Sequence, residues 1–157
     1  MATYSFKSSG TSLTDSVANN ANSTPSVTQF GVITPLSRGN DNQMLKMSSG
    51  IAEQVNVNLK DLLLTNHGER LVLTRFGGNL RVLLSEYTSK EEFDNNAISS
   101  IKDAVEKWMS YVDLVDYTSN VLTDDFGSVS SVVIDITYSV HVLKLENKKL
   151  RIELKLV

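Results

Sequence analysis

SVVIDITYSVHVLKLENKKLRIELKLV, residues Ser131 to Val157, decides the fold. Val132, Ile134, Ile136, Tyr138, Val140 and Val142 alternate with Val133, Asp135, Thr137, Ser139 and His141. Successive side chains of a strand point to opposite faces, so this alternation predicts a long, half-buried strand. Glu146-Asn147-Lys148-Lys149 reads as a hairpin loop. Leu150, Ile152, Leu154 and Leu156 then alternate with Arg151, Glu153 and Lys155, which predicts a strand returning to the end of the sequence. Upstream, Val112 to Val121 predicts a third strand, closed by a turn at Thr123-Asp124-Asp125-Phe126-Gly127. The expectation is a three-stranded antiparallel meander. A small meander has edges, and an edge exposes unpaired N–H and C=O groups. The lysines there either guard against aggregation or border a site where a partner adds a strand.

Before the meander the period changes to that of a helix. Ser89-Lys90-Glu91-Glu92 is a capping box, in which the serine and the glutamate satisfy backbone amides at a helix start. It opens a long helix with Phe93, Ala97, Ile101, Val105 and Trp108 as its core stripe. Leu80 to Leu84 predicts one or two helical turns. Ile51, Val55, Leu59, Leu62 and Leu63 share one face of another helix, capped by Ser48 or Ser49 and ending near Leu64. Gly31 to Leu36 is a short extended piece closed by Pro35. Ser37 to Gln43 is a polar turn, and Met44, Leu45 and Met47 form a second short strand. The fold class is therefore α+β: two main helices plus a short helix packed on the C-terminal meander, with a short N-terminal hairpin.

Residues 1–30 form a separate, low-complexity extension. Ser, Thr and Asn fill half of it, and Lys7 and Asp15 are its only charged side chains. Such a stretch is a disordered tail or an extended arm that orders against a neighbour, with Tyr4, Phe6, Leu13, Val17, Val27 and Phe30 as anchors. The domain proper is 31–157.

The chain has 157 residues, 41% hydrophobic and 21% charged, with a net charge of −3. That is ordinary globular usage. Lys144, Lys148, Lys149, Arg151 and Lys155 are interrupted by Glu146 and Glu153 and read as a solvated strand face, so no nucleic-acid partner is expected. With no cysteine, a disulfide framework and thiolate metal sites are excluded. The N-terminus lacks a secretory h-region, and no run approaches the ~18 apolar residues of a spanning helix, so no membrane partner is expected.

The chemistry-bearing residues are few. His67 and His141 fall short of the three or four ligands of a zinc site, so no metal or other cofactor is expected. Phe76-Gly77-Gly78-Asn79 lacks the lysine of a phosphate-binding loop, and no nucleophile elbow is present. Glu69 is the strongest candidate acid, but glycoside hydrolysis needs a second carboxylate, and none is near it in sequence. The glycines favour tight turns.

The stretch Asn58 to Glu86, NLKDLLLTNHGERLVLTRFGGNLRVLLSE, resembles the baseplate wedge, sheath-initiator family of contractile bacteriophage tails, which has a type VI secretion counterpart and members named lysozyme-like. The shared features are Leu62 to Thr65, the turn Gly68-Glu69-Arg70, Phe76-Gly77, and Leu80 to Leu84. Gly31 to Leu36 looks like the family's Gly-x-x-x-Pro-Leu strand, and the likeness covers roughly 31–157. It departs where many members carry Glu-Pro-Arg to dock on the wedge. Here Met109-Ser110-Tyr111 follows Trp108.

The resemblance implies a non-enzymatic virion protein of the tail baseplate, assembled in the host cytoplasm. Its implied partners are baseplate wedge proteins, tail tube or hub proteins, and the tail sheath protein. It would initiate sheath by offering a sheet edge, here Leu150, Ile152, Leu154 and Leu156, and dock on the wedge near Trp108, Met109, Ser110 and Tyr111. Gly68, Glu69, Arg70, Phe76 and Gly77 would be structural turns. A peptidoglycan hydrolase using Glu69 and a strand-binding adaptor outside a tail are the alternatives.

Overall fold

The computed structural model describes residues 29–39, 44–123 and 129–155. The proposed arm anchors Tyr4, Phe6, Leu13, Val17 and Val27, most of the Thr123–Gly127 turn, the end of the Ser37–Gln43 turn, and Leu156 lie outside the described residues. Among those described, strands β1 (Gly31–Val32) and β2 (Met47–Ser48) form a small antiparallel hairpin. Helices α1 (Ile51–Leu64), α2 (Leu80–Ser85) and α3 (Lys90–Trp108) follow. Strands β3 (Asp113–Thr123), β4 (Val129–Val140) and β5 (Leu145–Lys155) make an antiparallel sheet in the order β3-β4-β5. The predicted α+β architecture is the observed one.

The sheet is sided as its alternation demands. Tyr117, Ile136 and Leu150 lie across the three strands in one row, then Ser119, Ile134 and Ile152, then Val121, Val132 and Leu154. Ile134, Ile136, Ile152 and Leu154 are at most 2% exposed. The helices cover this face: α3 packs on β3, while α1 and α2 pack on β5. Val55, Leu59, Leu62 and Leu63 carry the buried face of α1, and Phe93, Ala97, Ile101, Ala104 and Val105 that of α3. Sealing each such large side chain contributes on the order of 2 kcal/mol. The opposite face of the sheet, with Thr118, Asp135, Thr137 and Arg151, is polar. There Arg151 Nε and Nη2 donate to the two Asp135 carboxylate oxygens at 2.7 and 3.0 Å, which holds the Asp135 carboxyl below its ordinary range.

Several local expectations are corrected. Helix α1 is capped by Gly50, not by Ser48 or Ser49. The Ser48 hydroxyl instead donates to Gln54 Oε1 at 2.7 Å, and the Ser49 amide donates to Glu53 Oε2. Ile51, in the first turn, stays 44% exposed. Met44 and Leu45 bend rather than extend, leaving only Met47–Ser48 in β2. Strand β4 stops at Val140, because His141–Leu143 form a 3₁₀ turn that throws Val142 out to 82% exposure. Lys144, at φ +52°, completes the reversal, so Glu146 to Lys149 lie within β5 and not in a loop. The Ser89 cap is as predicted: its hydroxyl accepts the Glu92 amide at 3.3 Å.

Candidate functional site

The loop from Asn66 to Asn79 is built around the C-terminus of α1. The last carbonyls of a helix have no partners within it. Here Gly78 N–H donates to Leu62 O at 3.0 Å and Asn79 N–H to Thr65 O at 3.3 Å. That approach requires glycine. A Cβ on Gly77, at φ +126°, would sit 2.1 Å from the Thr65 carbonyl oxygen, and one on Gly78 would sit 3.1 Å from that of Leu63. Gly68, at φ +86°, turns the other end of the loop, and its amide donates to Thr74 O at 2.8 Å.

Glu69 closes its own turn. Its carboxylate accepts the Asn66 backbone amide at 3.0 Å and the Asn66 side-chain amide at 2.8 Å. It is exposed, and it lines neither the cavity beside Trp108 nor the groove along β3. Arg70 turns the opposite way, its guanidinium carbon 3.7 Å from the centre of the Phe76 ring. Phe76 meets Trp108 edge-on, with centroids 5.2 Å apart, and Lys107 Nζ lies 5.1 Å from the Trp108 ring. A cation thus flanks each end of an aromatic pair. The stack joins the Gly-Glu-Arg turn to the end of α3, so the structure brings together two groups of residues that are separate in sequence.

Beside the stack lies a cavity of about 260 Å³, lined by Asn58, Asp61, Leu62, Arg70, Phe76, Trp108, Met109 and Tyr111. Met109 is 5% exposed and belongs to the core, where its amide closes α3 on Val105 O. Ser110 and Tyr111 face outward, and partial burial raises the Tyr111 phenol above its ordinary pKa. Trp108 is half-buried, and its Nε1–H has no hydrogen-bond partner among the described residues. Of the proposed docking stretch, Trp108, Ser110 and Tyr111 are therefore reachable and Met109 is not.

The proposed strand-addition residues fall differently. Leu150, Ile152 and Leu154 are 4%, 1% and 1% exposed, with side chains directed into the helical layer. Only the backbone edge of β5 and the outward Lys149, Arg151 and Glu153 remain for a partner. Because β4 is central, β3 is a second edge. Sequence reasoning missed two surfaces. One is the loop tip, where Leu71 and Val72 are 98% and 90% exposed. The signal was an apolar run, Leu71-Val72-Leu73, that fits no amphipathic period. The other is a groove along β3, which depends on how α3 crosses the sheet and has no local signature.

No protein-family model matches the sequence, and no curated protein matches it. Solved structures that share its fold include the following two. One is a chain in the cryo-EM structure of the anti-feeding prophage baseplate: TM-score 0.57 and 20% identity, over 69% of this chain and 82% of that one. The other is a crystal structure from Geobacter sulfurreducens, described as a candidate tail lysozyme: TM-score 0.50 and 18% identity, over 69% of this chain and 92% of that one. The chain shares the fold of these two chains over 69% of its length.

Proposed function

We propose that this protein is a non-enzymatic structural component of a contractile-tail baseplate, resident in the virion tail. It docks on wedge or tube proteins and initiates the sheath by offering a sheet edge. The observation that carries the reading is the three-stranded meander, whose β5 edge pairs with no further strand among the described residues, on a fold shared with a baseplate chain. Edge N–H and C=O groups are a template for another strand. Lys148 and Lys149 along β5 would favour an acidic donor strand. Trp108, Ser110 and Tyr111, held by the Arg70–Phe76 stack, form the wedge-docking corner in this reading. Electron microscopy of particles assembled with and without the protein tests it. Baseplates bare of sheath when the protein is missing support initiation, and normal sheath in its absence rejects it.

The hydrolase alternative takes its support from the name of the Geobacter protein. In this chain Glu69 faces its own turn, and neither a second carboxylate nor a cleft accompanies it in the cavities described. Release of soluble peptidoglycan fragments that Glu69→Gln abolishes would restore that alternative.

A further inference from the structure

The two edges of the sheet differ in what lies beside them. An open groove of about 370 Å³ runs between α3 and β3, lined chiefly by Ile98, Ile101, Lys102, Leu114, Tyr117 and Ile136. Neither this groove nor the cavity beside Trp108 touches β5. Strand β3 bulges at Val115, which is 57% exposed, and then runs in unbroken register with β4 from Asp116 to Leu122. A strand bonded to the far side of this run would alternate its side chains. One set would enter the groove beneath α3, and the other would lie on the outer face near Asp116. The charges differ as well. Strand β3 carries Asp113 and Asp116 and no lysine or arginine, whereas β5 carries Lys148, Lys149, Arg151 and Lys155. The β3 edge therefore fits an extended segment with apolar side chains at alternate positions and a cation on its opposite face.

Residues 1–28 of this chain contain one such segment, Thr3-Tyr4-Ser5-Phe6-Lys7. Tyr4 and Phe6 alternate with Thr3, Ser5 and Lys7, and Lys7 is the only cation in those 28 residues. The chain between Lys7 and the described domain spans up to roughly 70 Å when extended. That is several times the ~13 Å radius of gyration of a 100-residue domain, so the segment can reach any face of the molecule. Being tethered, it acts at a local concentration on the order of millimolar.

We propose that residues 3–7 dock in cis on the outer edge of β3 as a fourth strand, with Tyr4 and Phe6 in the groove beneath α3 and Lys7 beside Asp116. The inference is independent of the sheath reading, because it leaves the β5 edge open.

Hydrogen exchange read by mass spectrometry on the whole chain tests it, comparing the parent with the Tyr4→Ser, Phe6→Ser double variant. Both substitutions lie outside the described residues. The variant should exchange the amides of Asp116 to Leu122 about tenfold faster than the parent, with β5 unchanged. Val17→Ser, as a control, should exchange like the parent. Equal β3 exchange in parent and double variant overturns the proposal. So does β3 protection that disappears on dilution, which would mean that the strand comes from a second copy.

Discussion

The Arg70 guanidinium carbon lies 3.7 Å from the centre of the Phe76 ring, and Phe76 stands edge-on to Trp108. Through this contact the turn after α1 grips the end of α3. Replacing Arg70 with Ala removes the cation and the covering stem, at an expected cost of about 1 kcal/mol. Arg70→Lys should cost less, since it keeps the charge. Chemical denaturation followed by Trp108 fluorescence measures both. Unchanged stability in Arg70→Ala would show that the stack contributes nothing.

Gly77 and Gly68 both have positive φ but different surroundings. Ala at 77 would meet the Thr65 carbonyl, while Ala at 68 would enter open space. Gly68→Ala should cost about 1 kcal/mol, from backbone strain alone. Gly77→Ala adds a backbone clash and should cost about 3 kcal/mol or more. Thermal melts of the two variants give the order, and equal costs would contradict the close approach.

Tyr117 OH donates to Asp94 Oδ1 at 3.1 Å. Burial, then the Asp94 charge and this hydrogen bond, raise the phenol above its ordinary 10.0. The unfolded chain ionises at that ordinary value. The stabilisation is therefore complete below pH 10.0 and is lost as pH climbs from there through the raised folded value. Tyr117→Phe should lose about 1 kcal/mol at neutral pH, and its stability should fall less steeply above pH 10. Tyr111 and Tyr138, also raised by burial, add to the alkaline loss in the same direction. Parallel alkaline curves for parent and variant would remove Tyr117 from the account.

Ile134 sits at the centre of the covered face, fully buried between Ser119 and Ile152, whereas neighbouring Val133 points to the polar face. Ile134→Ala should cost about 3 kcal/mol. Val133→Ala should cost under about 1 kcal/mol. Urea titrations would separate the two, and similar costs would mean that the sheet is covered on both sides.

The elements that a single period dictates were legible in the sequence. Val132 to Val140 and Leu150 to Leu154 alternate, Phe93 to Val105 steps in threes and fours, and Ser89 announces its helix. The failures lie where the chain changes direction. The polar run Glu146 to Lys149 predicts the β4–β5 turn there. The reversal is in fact made by His141 to Lys144, where Val142 and Leu143 carry no turn signature and a left-handed Lys144 marks the corner, with a second left-handed residue at Asn147 just inside β5. The site was legible in its glycines, whose need follows from backbone approach, but not in its contacts. The meeting of Arg70 and Phe76 with Trp108, and the groove between Ile101 and Tyr117, depend on how α3 lies across distant strands.

All three helices crowd one side of the sheet and leave the Thr118, Asp135 and Thr137 side bare. A ribbon backed in this way is finished in thickness and unfinished in width. Another strand laid alongside lengthens the ladder without shifting a helix. The same domain can thus extend sideways in the plane of its sheet while its packed interior keeps its shape.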